Sequence, residues 1–312
     1  MSDPSQPLLV LGEALVDAVL RSGQTTAEHV GGSPANVAFG LGALGHEVEL
    51  ATWFGRDARG DRIAGRCAEA GVKVTVGSDG AEHTSVAYAT LDAAGVASYT
   101  FDLTWALPTL GDTGRFGHVH TGSIAATIEP GGTQVLEAVR ALHGRATVSY
   151  DPNLRPSLMG SPDEVRERVE ALVALSDVVK ASDEDVQWLY PGAFLPDVLR
   201  KWESSGPGLV VVTRGAKGAV YAVRSTTAAE VTSAPARSST VVDTVGAGDS
   251  FMAGLISGLL DAGCLGGVDG RARLHAAGID DVRAAVERGL ATAAATVARA
   301  GAYAPTRAEV GA

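Results

Sequence analysis

In Asp243-Thr244-Val245-Gly246-Ala247-Gly248-Asp249-Ser250-Phe251, three small residues precede an acid, and a helical pattern follows. Phe251, Met252, Leu255, Ile256, Leu259 and Leu260 recur three and four apart, as one buried helix face requires. Glycines let backbone amides turn towards a bound group with no side chain in the way. A helix start adds unpaired N–H groups and the positive end of the helix dipole, so the stretch is predicted to hold an anion such as phosphate. An acid on that rim would repel a resting phosphate, so Asp249 is read as a working base that takes a proton from an attacking hydroxyl. A plainer reading makes Asp249 an N-cap in an ordinary loop. A dinucleotide fingerprint fits poorly, because Phe251 stands where the third glycine belongs, and no P-loop pattern occurs.

Outward from this stretch, short apolar runs alternate with helical ones. Buried parallel strands are predicted at Leu8–Leu11, Val48–Ala51, Val119–His120, Ala146–Ser149, Val178–Val179 and Leu209–Val212. Helices are predicted at Pro34–Leu44, Asp61–Ala70, Gln134–His143, Pro162–Leu175 and Asp183–Leu189, with another across the alanine-rich stretch Ala284–Ala300. That alternation means βαβ units with helices on both sheet faces. Val16–Val30 and Thr84–Asp102 alternate polar and apolar instead, the second through a turn at Ala93-Ala94-Gly95, so both are expected to project from the main sheet. Ser225–Thr232 is predicted as a further strand.

The 312 residues are 46% hydrophobic, enough for a large core, and the net charge of −11 disfavours a nucleic-acid surface. An acidic chain that handles phosphate must gather positive potential locally, from amides, a few Lys or Arg, and a divalent cation. Two cysteines, Cys67 and Cys264, fit a reducing cytoplasm better than a disulfide framework. No apolar run approaches the ~18 residues of a membrane span, and Met1–Pro7 lacks the features of a signal peptide, so a soluble cytoplasmic protein is expected.

Gly31-Gly32-Ser33-Pro34-Ala35-Asn36-Val37-Ala38 opens the first main helix. Ser33 is expected as its N-cap and Pro34 as its first residue. Asn36 would then face the loop, where its amide can donate to and accept from a row of sugar hydroxyls, although a plain Gly-Gly turn with Asn36 solvated also fits. The early G-G-x-x-x-N-x-A and the late D-T-x-G-A-G-D-x-F together resemble the PfkB (ribokinase-like) carbohydrate kinases over essentially the whole chain.

The resemblance implies a single three-layer α/β/α domain over residues 1–312. Its central sheet would be mainly parallel, with a small β-sheet lid from segments 16–30 and 84–105, often a dimer clasp. It implies Asp249 as catalytic base, with Gly246, Ala247 and Gly248 as the amide anion hole. Asp17, Gly31, Gly32 and Asn36 would contact the sugar. Thr213, Gly215 and Gly218 of Thr213-Arg214-Gly215-Ala216-Lys217-Gly218, together with Lys180, would serve ATP. Asp243 and the Val245 carbonyl resemble part of a potassium site closed near Gly301-Ala302. Many members carry N-x-x-E for the waters around magnesium. Here the run reads Ser182-Asp183-Glu184-Asp185, so Asp185 takes the acid's place while Ser182 replaces the amide. Crowded acids in a first helical turn also suit the dipole alone.

Asp151-Pro152-Asn153-Leu154-Arg155-Pro156 follows a strand and puts Asn153 and Arg155 at its carboxyl end, where ligands of open α/β sheets bind. This run, Gly12-Glu13-Ala14-Leu15-Val16-Asp17, His120-Thr121-Gly122-Ser123 and Arg299-Ala300-Gly301-Ala302 look most like the bacterial fructokinase branch. The expected reaction is therefore ATP-dependent phosphorylation of D-fructose to fructose 6-phosphate. Alternatives are a 2-keto-3-deoxygluconate kinase or ribokinase, or a kinase fold that only binds sugar. A ketodeoxygluconate kinase needs extra positive charge, and the lid from Thr84 to Trp105 holds no Lys or Arg. His118-x-His120 shares a strand face but has no third zinc ligand, so buried or loop histidines are expected. Tyr99, Phe101 and Trp105 would cover the sugar or fill a dimer clasp, and Trp188 and Tyr190 would be core.

Overall fold

The computed structural model describes residues 6–21, 24–91, 97–224 and 230–311. Its first strand, β1 (Leu8–Leu11), is buried on both faces, with Leu8 and Val10 turned to one core and Leu9 and Leu11 to the other. The same alternation in β11 (Leu209–Thr213) marks a sheet covered on both sides, which is why its strands read as unbroken apolar runs. Between them in the chain come β2 (Leu15–Arg21), β3 (Gln24–Gly31), β4 (Val48–Ala51), β5 (Val72–Val74), β6 (Val86–Leu91), β7 (Ala97–Asp102), β8 (His118–Gly122), β9 (Thr147–Asp151) and β10 (Val178–Ser182), and after β11 come β12 (Ala219–Val223) and β13 (Glu230–Ala234). Nine of them form one sheet in the order β13-β12-β11-β10-β9-β8-β1-β4-β5, parallel throughout except at the β11-β12 and β12-β13 pairs. The other four form a separate sheet, β3-β2-β6-β7.

Helices α1 (Ser33–Ala43), α2 (Ala58–Glu69), α3 (Gly131–Leu142), α4 (Pro156–Met159), α5 (Pro162–Leu175), α6 (Asp183–Leu189), α7 (Leu195–Ser205), α8 (Ala247–Asp261), α9 (Gly267–Ala276), α10 (Ile279–Val297) and α11 (Arg307–Val310) cover the large sheet. On one face α1, α2, α8, α9 and α10 supply apolar side chains such as Ile63, Leu255 and Val286; on the other, α3, α5, α6 and α7 supply Val139, Val169 and Trp202. Helices on both faces of a mainly parallel sheet are what the alternation of apolar runs implied, and the three-layer α/β form is what the family resemblance implied.

The four-stranded sheet comes from Val16–Val30 and the described part of Thr84–Asp102, the two segments that broke the βαβ rhythm. Its β3 is half-exposed along most of its length, unlike β1. The turn Ala93-Ala94-Gly95 and the Tyr99 side chain lie outside the described residues, as do residues 225–229 of the expected late strand; among the described residues that strand runs over Glu230–Ala234. Trp105 is core rather than a cover for the pocket: it is buried and donates its indole N–H to the Ala125 carbonyl at 2.9 Å. Trp188 and Tyr190 pack against the second core, as expected. The described helices include none long and apolar enough to cross a membrane.

Candidate active site

Strands β1, β8, β9, β10 and β11 all end at one edge of the sheet, and the predicted site residues gather there. Helix α8 starts after Gly246, whose left-handed backbone (φ 73°) and contact with Ala302 both demand glycine: a Cβ would lie 2.6 Å from the Ala302 methyl. The first main-chain bond of the new helix runs from the Ser250 amide to the Gly246 carbonyl. The Ala247 amide leans on the Thr244 carbonyl at 3.3 Å, while the Gly248 and Asp249 amides have no partner among the described residues. Two such donors at a helix start are a ready anion cradle.

Asp249 lies in the first turn and is buried. Its Oδ1 accepts the Ser33 hydroxyl at 2.7 Å and, at 3.5 Å, the Asn153 amide; its Oδ2 accepts the Asn36 amide at 2.8 Å. Neutral donors from α1 and from the loop after β9 therefore fix this carboxylate in place, with no lysine or arginine bound to it. The expectation that Ser33 caps α1 is corrected here. Gly32 occupies the cap position with φ 102°, a value that serine avoids, and the Ser33 side chain makes no cap bond because it reaches across to Asp249.

Beneath α8, Lys180 and Asp151 form a buried ion pair at 2.6 Å. A Cβ on Gly248 would stand 3.0 Å from the Lys180 ammonium, so the cation sits under the amide cradle. The second oxygen of Asp151, Oδ1, is buried without a hydrogen-bond partner. Burial pushes the Asp151 carboxyl up to about 6 against the pull of Lys180, with Asp185 and Asp249 adding to the rise. Lys180 is itself held above its ordinary value by Asp151, which outweighs the cost of its burial.

Asp185 is committed differently. Its Oδ1 accepts the Leu154 amide at 2.7 Å, and its Oδ2 accepts the Ser182 amide and hydroxyl at 2.8 and 2.7 Å, closing a capping box on α6. Asp243 bridges the two loops expected around a cation: Oδ1 accepts the Val245 amide at 3.0 Å and Oδ2 the Gly301 amide at 2.8 Å. Those amides hold its pKa below the usual carboxylate value. No group of three or more His, Cys, Asp or Glu side chains among the described residues could hold a metal ion. Any cation here must therefore rely on main-chain oxygens, water or bound phosphate beside single carboxylates.

The residues expected to contact the sugar lie around the ends of β3 and β9. Asp17 is exposed there, and a Cβ on Gly31, at the end of β3, would overlap the Asp17 carboxylate at 2.2 Å. Asn153 takes a positive φ of 37°, and Arg155 beside it bonds the Asn153 and Leu154 carbonyls and the Asn153 side chain through one nitrogen. Thr213, Gly215 and Gly218 form the turn between β11 and the antiparallel β12, closed by main-chain bonds between Arg214 and Gly218. His118 and His120 are buried and neutral, bonded to Thr147 and Ser149, and burial pushes both down to about 3. They are structural, as their spacing suggested.

One residue here was not singled out from the sequence. Glu13, just past β1, is buried, and its Oε2 accepts the Ala125 amide at 3.1 Å. The run Gly12-Glu13-Ala14-Leu15-Val16-Asp17 was read for its resemblance, which gave Glu13 no role of its own.

Comparison with known proteins accords with this geometry. Residues 6–309 match the pfkB family carbohydrate kinase profile. A fructokinase of Klebsiella pneumoniae is 32% identical over 259 residues, 80% of this chain and 83% of that protein. A fructokinase of Escherichia coli is 32% identical over 272 residues, 83% of this chain and 86% of its own. The structure of an ATP-bound fructokinase from Xylella fastidiosa superposes with a TM-score of 0.83 at 25% identity, covering 98% of this chain and 97% of the other. A Vibrio cholerae fructokinase double mutant carrying fructose, ADP and potassium gives 0.80 at 27% identity, covering 99% and 98%.

Proposed function

The chain belongs to the PfkB family of carbohydrate kinases, and on that premise we propose that it transfers the γ-phosphoryl group of ATP to D-fructose, giving fructose 6-phosphate. The observation that carries this reading is the buried Asp249, held by Ser33 and Asn36 beside two unpartnered helix-start amides. Phosphoryl transfer needs positioning and charge neutralisation more than covalent help. Asp249 takes the proton of the acceptor hydroxyl as its oxygen bonds to the γ-phosphorus. The bridging oxygen between the β- and γ-phosphates leaves on ADP. The Ala247, Gly248 and Asp249 amides and the Lys180 ammonium neutralise charge on the moving oxygens.

Asp17, Gly31, Gly32, Asn36, Asn153 and Arg155 form the acceptor pocket in this reading. Thr213, Gly215 and Gly218 line the nucleotide side with Lys180. Asp243 and the Val245 carbonyl offer oxygen donors suited to K⁺. Asp185, with the free Asp151 Oδ1 nearby, suits the waters around Mg²⁺, an ion that supplies charge neutralisation when bound. The four-stranded sheet acts as a lid that excludes water as a rival acceptor, and its outer face joins two copies in a homodimer.

The test is ADP release with ATP, Mg²⁺ and K⁺ across fructose, ribose, ketodeoxygluconate, adenosine and fructose phosphates. A response dominated by fructose is expected. A dominant response to another acceptor overturns the sugar, and sugar binding without ADP release overturns the transfer.

A further inference from the structure

The buried carboxyl group of Glu13 performs no step in the reaction above, yet its contacts join three segments. It follows β1, where the chain is jammed against α1: a Cβ on Gly12 would stand 2.2 Å from the Pro34 ring. Besides the Ala125 amide, the Ser123 hydroxyl and the residue's own main-chain N–H act on the carboxyl and favour its ionised form. Ser123 has φ 55°; with Asn153 it makes up the only positive-φ pair of non-glycine residues among the described residues. Such strain persists only where the surroundings fix the backbone, and Glu13 holds the Ala125 amide two residues further on.

Beyond Ala125 the chain of contacts continues to the lid. The Ala125 carbonyl accepts the Trp105 indole N–H at 2.9 Å, and Trp105 lies three residues past the end of β7. Its ring has no slack, since a Cβ on Gly131 would stand 2.0 Å from the indole nitrogen. Next to it, the Thr104 amide and carbonyl both bond the Ser85 hydroxyl at 3.0 Å, one residue before β6. Both ends of the β6-β7 hairpin therefore meet at this point.

We propose that Glu13 is a positioning residue that ties the acceptor pocket to the foot of the lid, through Ser123, Ala125 and Trp105. This rests on the acceptor pocket assigned above. On the acceptor side, a Cβ on Gly32 would stand 2.4 Å from the Glu13 carbonyl oxygen, and Arg155, on the loop after β9, is the charged group that acts on the Glu13 carboxyl. Burial raises the Glu13 carboxyl to about 7, against the pull of its own amide, Ser123, Ala125 and Arg155. All its hydrogen-bond partners are donors, so ionisation strengthens the tie.

The experiment is a double-mutant cycle on the full chain with Glu13→Gln and Trp105→Phe, read by steady-state kinetics at pH 8. Losing a charge-assisted bond is expected to raise the sugar KM about tenfold in Glu13→Gln, with the ATP KM unchanged and kcat within about threefold. Trp105→Phe should raise the sugar KM too, and the double variant should be no worse than the worse single one. Wild-type sugar KM should fall as pH rises through about 7, while that of Glu13→Gln stays flat. Additive effects, or a wild-type pH profile in Glu13→Gln, would overturn the tie. The same cycle read by thermal unfolding tests the Glu13–Trp105 coupling without any substrate. Coupling there, with no activity on any sugar, would refute the proposed function but not the tie; additivity there, with full kinase activity, would refute the tie alone.

Discussion

On the proposed acceptor side, side chains already hold one another: Asp249 is bonded to Ser33 and Asn36, and Glu13 to the Ala125 amide. The proposed nucleotide side is made of backbone and open surface instead. The Thr213–Gly218 turn is closed by main-chain bonds, and Val241, Val242 and Val245, in the segment leading to α8, are 63%, 61% and 54% exposed. Groups that must act on a proton need fixed geometry before the ligand arrives. A surface that grips an adenine ring can stay exposed until the ligand covers it. Lys180 lies where the two sides meet, under the α8 amides and against Asp151.

The contrast can be broken most severely at that junction. Lys180→Met would leave Asp151 as an uncompensated buried charge and should destabilise the fold by about 3–5 kcal/mol. Asp151→Asn in the same chain should restore much of that loss, which chemical denaturation will show. Failure of the second change to recover stability would mean that the pair is not the source.

Next in size is Gly246→Ala, which forces a left-handed alanine against Ala302 and displaces the α8 amides. Removing a comparable preorganised donor costs roughly 10²–10³ in kcat, and steady-state kinetics should show a fall of that order. A wild-type kcat would move the anion site elsewhere.

A smaller effect separates Glu13 from an ordinary surface acid. Burial raises its folded pKa to about 7, from about 4.5 in the unfolded chain. The group therefore contributes stability below about pH 4.5 that is lost as pH rises through 7, because the unfolded chain ionises first. Glu13→Gln removes that loss, so relative to wild type it should gain on the order of 2 kcal/mol between pH 5 and pH 8. Thermal unfolding at the two pH values measures it; a constant difference would mean that Glu13 is already ionised at pH 5.

The smallest change probes the open side. Val241→Ser with Val242→Ser should raise the ATP KM about threefold through lost apolar cover and leave the sugar KM alone. Equal changes in both constants would erase the distinction between the two sides.

The sequence conveyed the scaffold better than the wiring. Strands β1 and β4 and helices α5 and α6 run over the same residues as their apolar patterns, since burial on both faces, or on one helical stripe, dictates them. Helix α7 was missed although Val198, Leu199 and Trp202 carry its buried stripe, because it follows the Pro191-Gly192 break and opens on Leu195-Pro196. Strand β5 is only three residues long, too brief for its period to register. At the site, Asp249, Asn36 and Asn153 were legible because they sit beside glycines and strand ends with a recognisable pattern. Ser33 was misread because a serine before Pro34 looks like a cap, and its true partner lies 216 residues away in the chain. Glu13, Ser123 and Trp105 meet only in three dimensions, so no local pattern announces them.

The claim that Asp249 is the base is tested most directly by Asp249→Asn, with fructose and ATP binding measured by calorimetry and turnover measured on the same preparation. The amide keeps the size and most of the hydrogen bonds of the carboxylate but cannot accept the proton. Binding within about threefold of wild type with kcat reduced by roughly 10³ or more is the expected result, of the size that loss of a general base produces. Turnover near the wild-type rate in that variant would contradict the account.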